Sequence, residues 1–170
     1  MAKVLTLKNY FLIDNPAIQV ESLQAWLAKQ MLHGKASRAR TRFLRIIAER
    51  AEELDKERLR LLDEYAVKKK VKEKGKDGKE KEVEKIVFLD KDNKETTNKQ
   101  EAKEYKMRDQ EAYQKEYLAY LGEDYVIDVT PATKDAIYGV RDMLINTEQE
   151  FSGVMAARYD EWVTAMEVIK

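Results

Sequence analysis

The sequence predicts an α+β fold that is mainly α-helical, and three observations lead to this class. Only two of the 170 residues are proline and six are glycine, so few positions interrupt a helix. Charged residues make up 38% of the chain, which favours long solvated helices. Short β-prone stretches lie far apart in the sequence. We therefore expect a long antiparallel helix pair, further C-terminal helices, a small β-sheet from separated strands and a charged β-hairpin insertion.

The first predicted elements are a strand and a helix. Val4 to Leu7 is a short β-prone apolar stretch. Asn15-Pro16 has the pattern of an N-cap followed by proline at the first helical position. Apolar residues at three- and four-residue steps then predict a helix with one buried stripe, formed by Val20, Leu23, Leu27 and Met31. Gly34 is typical of the residue at which such a helix ends.

The most prominent predicted element is a long charged helix that begins at Ser37, which can cap it. No glycine or proline follows until about Ala66, and a helix of roughly 30 residues would be about 45 Å long. Its apolar positions have the spacing of a heptad seam, interrupted once by an arginine: Leu44, Ile47, Ala51, Leu54, Arg58, Leu61 and Tyr65. Other helices of the chain or a second copy could fill this seam.

Residues 68–98 differ sharply in composition from the predicted helices on either side. Lys68 to Lys85 holds nine lysines against four glutamates and Asp77. Asp77-Gly78 and Asp92-Asn93 are turn signals on either side of the β-prone stretch that contains Ile86 to Leu89. We predict a charged β-hairpin or loop, residues 68–98, inserted within a single domain, residues 1–170. A disordered basic loop is the alternative, since only Ile86 to Leu89 has apolar side chains to bury.

The C-terminal part of the chain predicts three helices and one more strand. A tyrosine-rich helix, roughly Lys99 to Leu121, ends at Gly122. The alternating residues of 125–129 predict a half-buried strand that could pair with Val4 to Leu7. Thr130-Pro131 repeats the cap-plus-proline start of a helix. Two apolar stripes follow, separated near Gly153: Ile137, Val140, Leu144 and Phe151, and then Met155, Tyr159, Trp162, Met166 and Ile169.

Composition argues against several classes of function. The chain has no cysteine, which excludes disulfides, thiolate zinc sites and thiol nucleophiles and suits a reducing cytosol. His33 is the only histidine, so a two-histidine metal site cannot form within one chain. Gly34-Lys35-Ala36-Ser37 lacks the Gly-Lys-Ser/Thr order of a phosphate-binding loop. We predict that the protein is not an enzyme, with no catalytic residue, cofactor or metal site, and with no membrane span.

The first turns of the long helix contain the one local cluster that indicates a contact site. Its cations follow at 3-4-3 steps, with one more nearby: Lys35, Arg38, Arg42 and Arg45, with Arg40 beside them. Arginine binds carboxylate or phosphate through parallel hydrogen bonds, and the positive end of a helix dipole adds affinity for anions. The functional interpretation is contact with an anion or an acidic partner. The alternative is that these cations pair with acidic residues elsewhere in a chain of zero net charge.

Four segments of the chain carry a resemblance. They are Leu7-Lys8-Asn9, the Leu-x-Gly-Lys-x-Ser-Arg-Ala-Arg run of residues 32–40, the Glu-Arg-x-x-Leu-Leu-x-x-Tyr run of residues 57–65, and Glu-Asp-Tyr-Val-Ile-Asp of residues 123–128. Together they resemble a family of small uncharacterised phage and prophage proteins from phages of Gram-positive bacteria. The lysine-rich region after residue 68 departs from the acidic turn that this family usually has.

The resemblance implies an accessory protein that acts by protein–protein interaction, for example in tail or virion assembly. Its partner would be a phage or host protein, or a second copy in a homo-oligomer, with no membrane involved. We expect it in the host bacterial cytoplasm, or associated with the virion. One alternative is a nucleic-acid-binding protein that uses the basic start of the long helix and the lysine-rich insertion. Another is a phage inhibitor of a host enzyme or defence complex.

Overall fold

A computed structural model describes residues 3–74 and 80–169, and it confirms the predicted α+β, mainly α-helical class. The described residues form five α-helices: α1 (Leu23–Lys29), α2 (Gly34–Tyr65), α3 (Gln110–Leu121), α4 (Lys134–Ile145) and α5 (Gly153–Glu167). They also form seven strands: β1 (Val4–Lys8), β2 (Lys68–Lys74), β3 (Glu80–Ile86), β4 (Phe88–Leu89), β5 (Glu95–Thr96), β6 (Glu104–Tyr105) and β7 (Asp124–Asp128). The chain divides into two compact units, Met1–Leu54 with Ala119–Lys170, and Asp55–Leu118.

The first unit contains a two-stranded antiparallel sheet of β1 and β7, which confirms the pairing expected between these distant stretches. Leu5 is opposite Ile127, and Leu7 is opposite Tyr125. Because successive side chains of a strand point to opposite faces, the leucines of β1 lie on one face, and both are fully buried. The alternation of apolar and polar residues in these two short strands therefore determines their pairing register.

The core of the first unit is formed by apolar stripes from four helices and by the inner face of this sheet. Most members of the stripes predicted for α1, α4 and α5 are buried or half-buried, with Met31 as the exception, and Ile47 and Leu54 of the α2 seam are buried. The core also contains large side chains outside these predicted stripes, Trp26 and Phe43. The two tryptophan rings lie 6.0 Å apart between centroids. Burial of each large apolar side chain stabilises the fold by about 1.5–3 kcal/mol.

The predicted start of the first helix at Asn15-Pro16 is wrong. Pro16–Ile18 forms a short 3-10 turn, and α1 begins only at Leu23, where Ser22 Oγ accepts a hydrogen bond from Ala25 N at 3.2 Å. Local hydrogen bonds hold the preceding loop: Asn15 N donates to Val20 O at 2.7 Å. Ser22 is therefore the cap of α1, because its hydroxyl satisfies a free N–H of the first turn.

The boundary between α1 and α2 also differs from the prediction. α1 ends at Lys29, and Met31 lies outside the helix with 92% of its surface exposed. Gly34 does not end α1 but begins α2, and its φ of +56° lies in the left-handed region that glycine adopts without strain. α2 therefore starts three residues before the predicted cap, Ser37, and ends at Tyr65 as expected.

The second unit contains the predicted charged hairpin. β2 and β3 pair antiparallel, so the described residues of the hairpin form two paired strands. Lysines stand directly opposite glutamates at three successive outward positions: Lys70 with Glu84, Lys72 with Glu82, and Lys74 with Glu80. Opposite charges at such positions stabilise the pairing. The predicted turn at Asp77-Gly78 lies outside the described residues.

A small three-stranded sheet follows the hairpin, with β4 between β5 and β6. The predicted helix from Lys99 is wrong over its first part, because Glu104–Tyr105 is strand β6 and α3 begins only at Gln110. Local side-chain hydrogen bonds compete with a helix here: Gln100 N donates to Asn98 Oδ1 at 3.1 Å. Asp109 Oδ1 then accepts from Ala112 N at 2.9 Å and opens α3.

The C-terminal helices also begin later than predicted. The first turn of α4 follows Thr133, not Thr130-Pro131, and Thr133 Oγ1 donates to the Asp128 carbonyl at 2.6 Å. α4 ends at Ile145, so Phe151 is not part of the α4 stripe. The Phe151 ring instead stacks on the Tyr159 ring, with 4.4 Å between the two centroids. Gly153 begins α5 and separates the two helices as expected. Within the described part of the chain, no helix is long and apolar enough to cross a membrane.

Candidate functional site

The cations predicted to mark a contact site lie on one side of α2, within the first unit. We call Lys35, Arg38, Arg42 and Arg45 the basic row. Arg38, Arg42 and Arg45 border one small surface cavity of about 230 Å³, and Lys35 joins Arg38 and Arg42 around another of about 240 Å³. The structure therefore brings these four predicted residues together on one surface.

Arg40, the fifth predicted residue, has a different position and role. Its Nη1 atom donates to the Gln30 carbonyl at 2.5 Å. This bond connects α2 to the C-terminal end of α1, since Gln30 is the C-cap residue of α1. We therefore treat Arg40 as a structural side chain and leave it out of the basic row.

The arginines of the basic row differ from the other arginines in their hydrogen bonding. Of the ten arginines in the chain, five form ion pairs with acidic side chains: Arg50, Arg58, Arg60, Arg141 and Arg158. Arg40 and Arg108 donate to backbone carbonyls. The remaining three are Arg38, Arg42 and Arg45, and none of them has a hydrogen bond or ion pair to a residue in the described ranges. Among the described residues, these three arginines therefore lack the ion pairs with acidic side chains that would give them a purely structural role.

The sequence of α2 explains this difference. Arg58 and Arg60 pair with acidic residues three or four positions away on the same helix. From Gly34 to Ala48 the helix contains no acidic residue, and none lies in its first turn. Cations near a helix N-terminus are unfavourable because they face the positive end of the helix dipole. The start of the basic row, Lys35 and Arg38, therefore lies where positive charge contributes least to the stability of α2.

A groove between α2 and α4 opens beside the basic row. The two helices approach closely because Gly139 of α4 faces Ala39 of α2, and a Cβ at position 139 would lie 2.4 Å from the Ala39 Cβ. The adjoining cavity has a volume of about 570 Å³. We call it the α2–α4 groove, and its wall includes Leu32, Ala36, Tyr138, Met143, Asn146 and Thr147.

The groove and the basic row form one continuous surface. Lys35, Ala39 and Asp135 line both the groove and the small cavity beside Arg38 and Arg42. Asp135 lies in the first turn of α4, where a carboxylate is favoured by the helix dipole. Of the described residues around that small cavity, Asp135 is the one acid against three cations, so the surface remains positive.

Two exposed side chains lie in the segment that connects α1 to α2. Met31 is 92% exposed, and His33 is also exposed. Their neighbours Gln30 and Leu32 line the α2–α4 groove. A long, flexible and polarizable methionine side chain is well suited to contact with a partner. This segment therefore adds apolar contact area near the groove.

The described residues contain no cluster that resembles a metal centre. Among residues 3–74 and 80–169, no group of three His, Asp or Glu side chains is placed to hold a metal ion. His33 belongs to no such group. The predictions that the protein is not an enzyme and takes no cofactor or metal stay predictions.

The lysines of the second unit differ from the basic row, because acidic groups compensate several of them. Three glutamates of β3 face Lys70, Lys72 and Lys74 of β2, as described above. Lys69 and Lys106 both bind the Glu95 carboxylate, and these two ammonium groups lower the pKa of Glu95 to about 2. The hairpin therefore presents paired charges rather than a uniformly basic surface.

Sequence reasoning located the basic row but missed the α2–α4 groove. The spacing of charged residues along one helix is visible in the sequence, whereas a groove depends on which two helices cross and where. Gly139 within a helical pattern was the available signal, because glycine in a helix interior is unfavourable unless a close contact requires it. No protein-family model, curated protein or solved structure matches the chain. The resemblance to a phage family stays a prediction.

Proposed function

We propose that this protein acts by binding another protein and that the basic row contacts acidic side chains of that partner. The observation that carries this proposal is the concentration of unpaired arginines in the first turns of α2. Arg38, Arg42 and Arg45 have no ion pair to a described residue, whereas five of the other seven arginines form one. Each guanidinium keeps its planar set of donors available for a carboxylate.

The unfavourable position of these charges supports a functional role. Lys35 in the first turn of α2 and Arg38 just after it have no acidic residue near them on the helix, and a cation close to a helix N-terminus reduces stability by about 0.3–1 kcal/mol. Natural sequences usually break such local rules where binding requires it. The remainder of α2 follows the rule, since its later arginines are paired. The exception is thus confined to the proposed contact surface.

A protein partner fits this surface better than a nucleic acid. The basic row runs from Lys35 to Arg45, ten steps along the helix, which is about 15 Å. It adjoins a groove whose wall includes apolar side chains such as Ala36 and Met143, and these offer no contact to a phosphate backbone. The lysine-rich hairpin of the alternative hypothesis has glutamates opposite three of the five lysines of β2. Nucleic-acid binding is therefore the second candidate, and inhibition of a host enzyme is one form that protein binding could take.

The biological setting of the proposal comes from the resemblance. It points to a phage or prophage accessory protein in the host bacterial cytoplasm, with tail or virion assembly as the process. The partner would be a phage or host protein, or a second copy of this chain. A purely binding role requires no cofactor, and we propose none.

The experiment compares three forms of the protein as bait in extracts of phage-infected cells treated with nuclease. The first is wild type, the second carries Arg38→Gln, Arg42→Gln and Arg45→Gln, and the control carries Lys56→Gln, Lys99→Gln and Lys115→Gln. The control removes the same charge at exposed lysines outside the basic row. We expect proteins that are captured by wild type and by the control but lost with the basic-row variant. Identical captured sets for all three forms would contradict the proposal.

A second measurement tests the nucleic-acid alternative. Fluorescence anisotropy with a labelled 20-base-pair DNA duplex is recorded at several salt concentrations. If the four cations of the basic row bind phosphates, log K falls with log salt at a slope of about −3.6, because each phosphate contact contributes about −0.9. We expect instead no binding that depends on the basic row. A steep slope that disappears in the basic-row variant would favour nucleic acid over protein.

A further inference from the structure

We propose that the α2–α4 groove and the basic row bind one continuous peptide segment of the partner. An apolar side chain of this segment enters the groove, and acidic residues next to it along the chain lie on the basic row. This inference rests on the proposed function and specifies the chemistry of its partner. The partner recognised here is an acidic peptide segment with one large apolar anchor.

The groove has the properties of an anchor site. Its volume of about 570 Å³ lies within the range of about 300–1,000 Å³ that is typical of pockets that enclose a ligand group. Ala36, Tyr138 and Met143 provide apolar and aromatic surface, while Asn146 and Thr147 provide hydrogen-bonding groups at its edge. Anchors of this kind contribute much of the free energy of protein binding, because a buried apolar side chain leaves water completely.

The positive charge of the basic row indicates which residues of the partner lie beside the apolar anchor. Lys35 and Ala39 line both the groove and the neighbouring cavity, so a chain that leaves the groove in this direction next passes Arg38 and Arg42. These guanidinium groups have no partner among the described residues, and carboxylates are the side chains that bind them in paired geometry. The three cations of this cavity outnumber its one carboxylate, Asp135, so the surface beyond the groove is complementary in charge to an acidic segment.

The spacing of the cations defines a pattern for that segment. Successive members of the basic row are three or four residues apart on α2, which is about 4.5–6 Å along the helix. In an extended peptide, side chains on the same face are two residues apart, about 6.6 Å. Alternate acidic residues of an extended peptide therefore match successive arginines. The expected pattern is an apolar anchor with two or three acidic residues at alternate positions beside it.

The test selects peptides without assuming a partner. A display library of random ten-residue peptides is selected on the immobilised full chain, and the selected peptides are synthesised with a fluorescent label. We expect enrichment of peptides that combine one large apolar residue with at least two acidic residues within the next five positions on one side. Enrichment without an apolar anchor, or without acidic residues, would overturn the inference. No enrichment in a library of this diversity would also overturn it.

Two groove-filling variants separate this inference from the proposed function. Ala36→Trp places a large ring in the groove from α2, and Thr147→Trp does so from the segment that follows α4. Ala48→Trp adds the same ring at an exposed position of α2 and serves as the control. Each variant is first shown to fold by circular dichroism. We expect at least tenfold weaker peptide binding for both groove variants and no change for the control.

The pattern of losses decides between the two proposals. If Arg38→Gln, Arg42→Gln and Arg45→Gln together abolish peptide binding while both groove variants bind normally, the groove inference is wrong and the proposed function stands. If neither set of changes affects binding, both are wrong. If wild type forms a dimer that Ala36→Trp dissociates, the occupant is a second copy, and the inference of a partner's acidic peptide is overturned.

Discussion

Gly139 of α4 and Ala39 of α2 face each other so closely that a Cβ at position 139 would lie 2.4 Å from the Ala39 Cβ. This distance is far inside ordinary carbon–carbon contact, and neither atom belongs to a flexible side chain that could move away. The approach of the two helices at this point therefore depends on glycine. It also places the walls of the α2–α4 groove.

We predict that Gly139→Ala destabilises the protein. Overpacking costs about 1–3 kcal/mol, and the higher helix propensity of alanine offsets up to about 1 kcal/mol of this cost. The net loss should be about 1–2 kcal/mol in urea unfolding followed by tryptophan fluorescence. The control is the exchange Ala39→Gly with Gly139→Ala, which restores one methyl group at the contact and keeps the composition of both helices combined. The prediction is wrong if the single variant is as stable as wild type, or if the exchange restores none of the loss.

A second prediction concerns the balance between stability and binding in the basic row. Neutralising Lys35 and Arg38 by glutamine removes two cations from the start of α2, where they oppose the helix dipole. We expect the free energy of unfolding to stay unchanged or to rise, by at most about 0.3–1 kcal/mol per residue. Binding should fall in the capture experiment at the same time. A clear loss of stability in the double variant would show that these side chains have a structural role.

A third prediction concerns Asn9, a fully buried polar residue at the end of β1. Its Nδ2 donates to the Tyr120 carbonyl at 2.8 Å, and its Oδ1 accepts from Arg50 Nε at 3.0 Å. Asn9→Ala removes both bonds and leaves a largely buried guanidinium without this acceptor, so we expect a loss of about 2–4 kcal/mol. Asn146→Ala, at an exposed asparagine, should cost less than about 1 kcal/mol in the same chemical denaturation. Equal losses for the two variants would contradict the role assigned to Asn9.

A fourth prediction concerns the pH dependence of the second unit. Hydrogen bonds from Lys106 and then Lys69 lower the pKa of Glu95 from 4.5 to about 2. Because the folded pKa is the lower one, the stabilising contribution is fully present above pH 4.5 and is lost as the pH falls through about 2. A carbon-13 NMR titration of the Glu95 carboxyl should therefore show a midpoint near pH 2. Lys106→Gln and Lys69→Gln should each raise that midpoint, the former by more, and an unchanged midpoint in both would reject the arrangement.

The sequence predicts elements best where the information is local and periodic. The stripes through Leu23 and Leu27, and through Ile137, Val140 and Leu144, are buried as expected, because residues that share a helix face recur at a fixed spacing. The pairing of β1 with β7 was also expected, since few β-prone stretches were available. Helix ends were less predictable. Asn15 and Ser22 are both good caps, and only the loop packing selects Ser22.

In the candidate site, too, local features could be predicted from the sequence and features that depend on helix packing could not. The basic row follows from residue spacing on one helix, and it contains four of the five residues predicted for the contact site. Arg40 could not be separated from them in sequence, because its bond to the Gln30 carbonyl depends on where α1 ends. The groove was invisible in sequence, since it exists only through the crossing of α2 with α4 at Ala39 and Gly139.

The long-range pairing of β1 with β7 has a consequence for how the chain folds during synthesis. The Asn9–Tyr120 bond beside this sheet joins residues 111 positions apart. The first unit therefore cannot close its core until β7 has left the ribosome, by which time all residues of Asp55–Leu118 have been translated. Contacts of such sequence separation slow folding, because a long loop must close before they form. Translation therefore imposes an order on folding. Until β7 is synthesised, the apolar side chains of the nascent N-terminal segment remain accessible to chaperones.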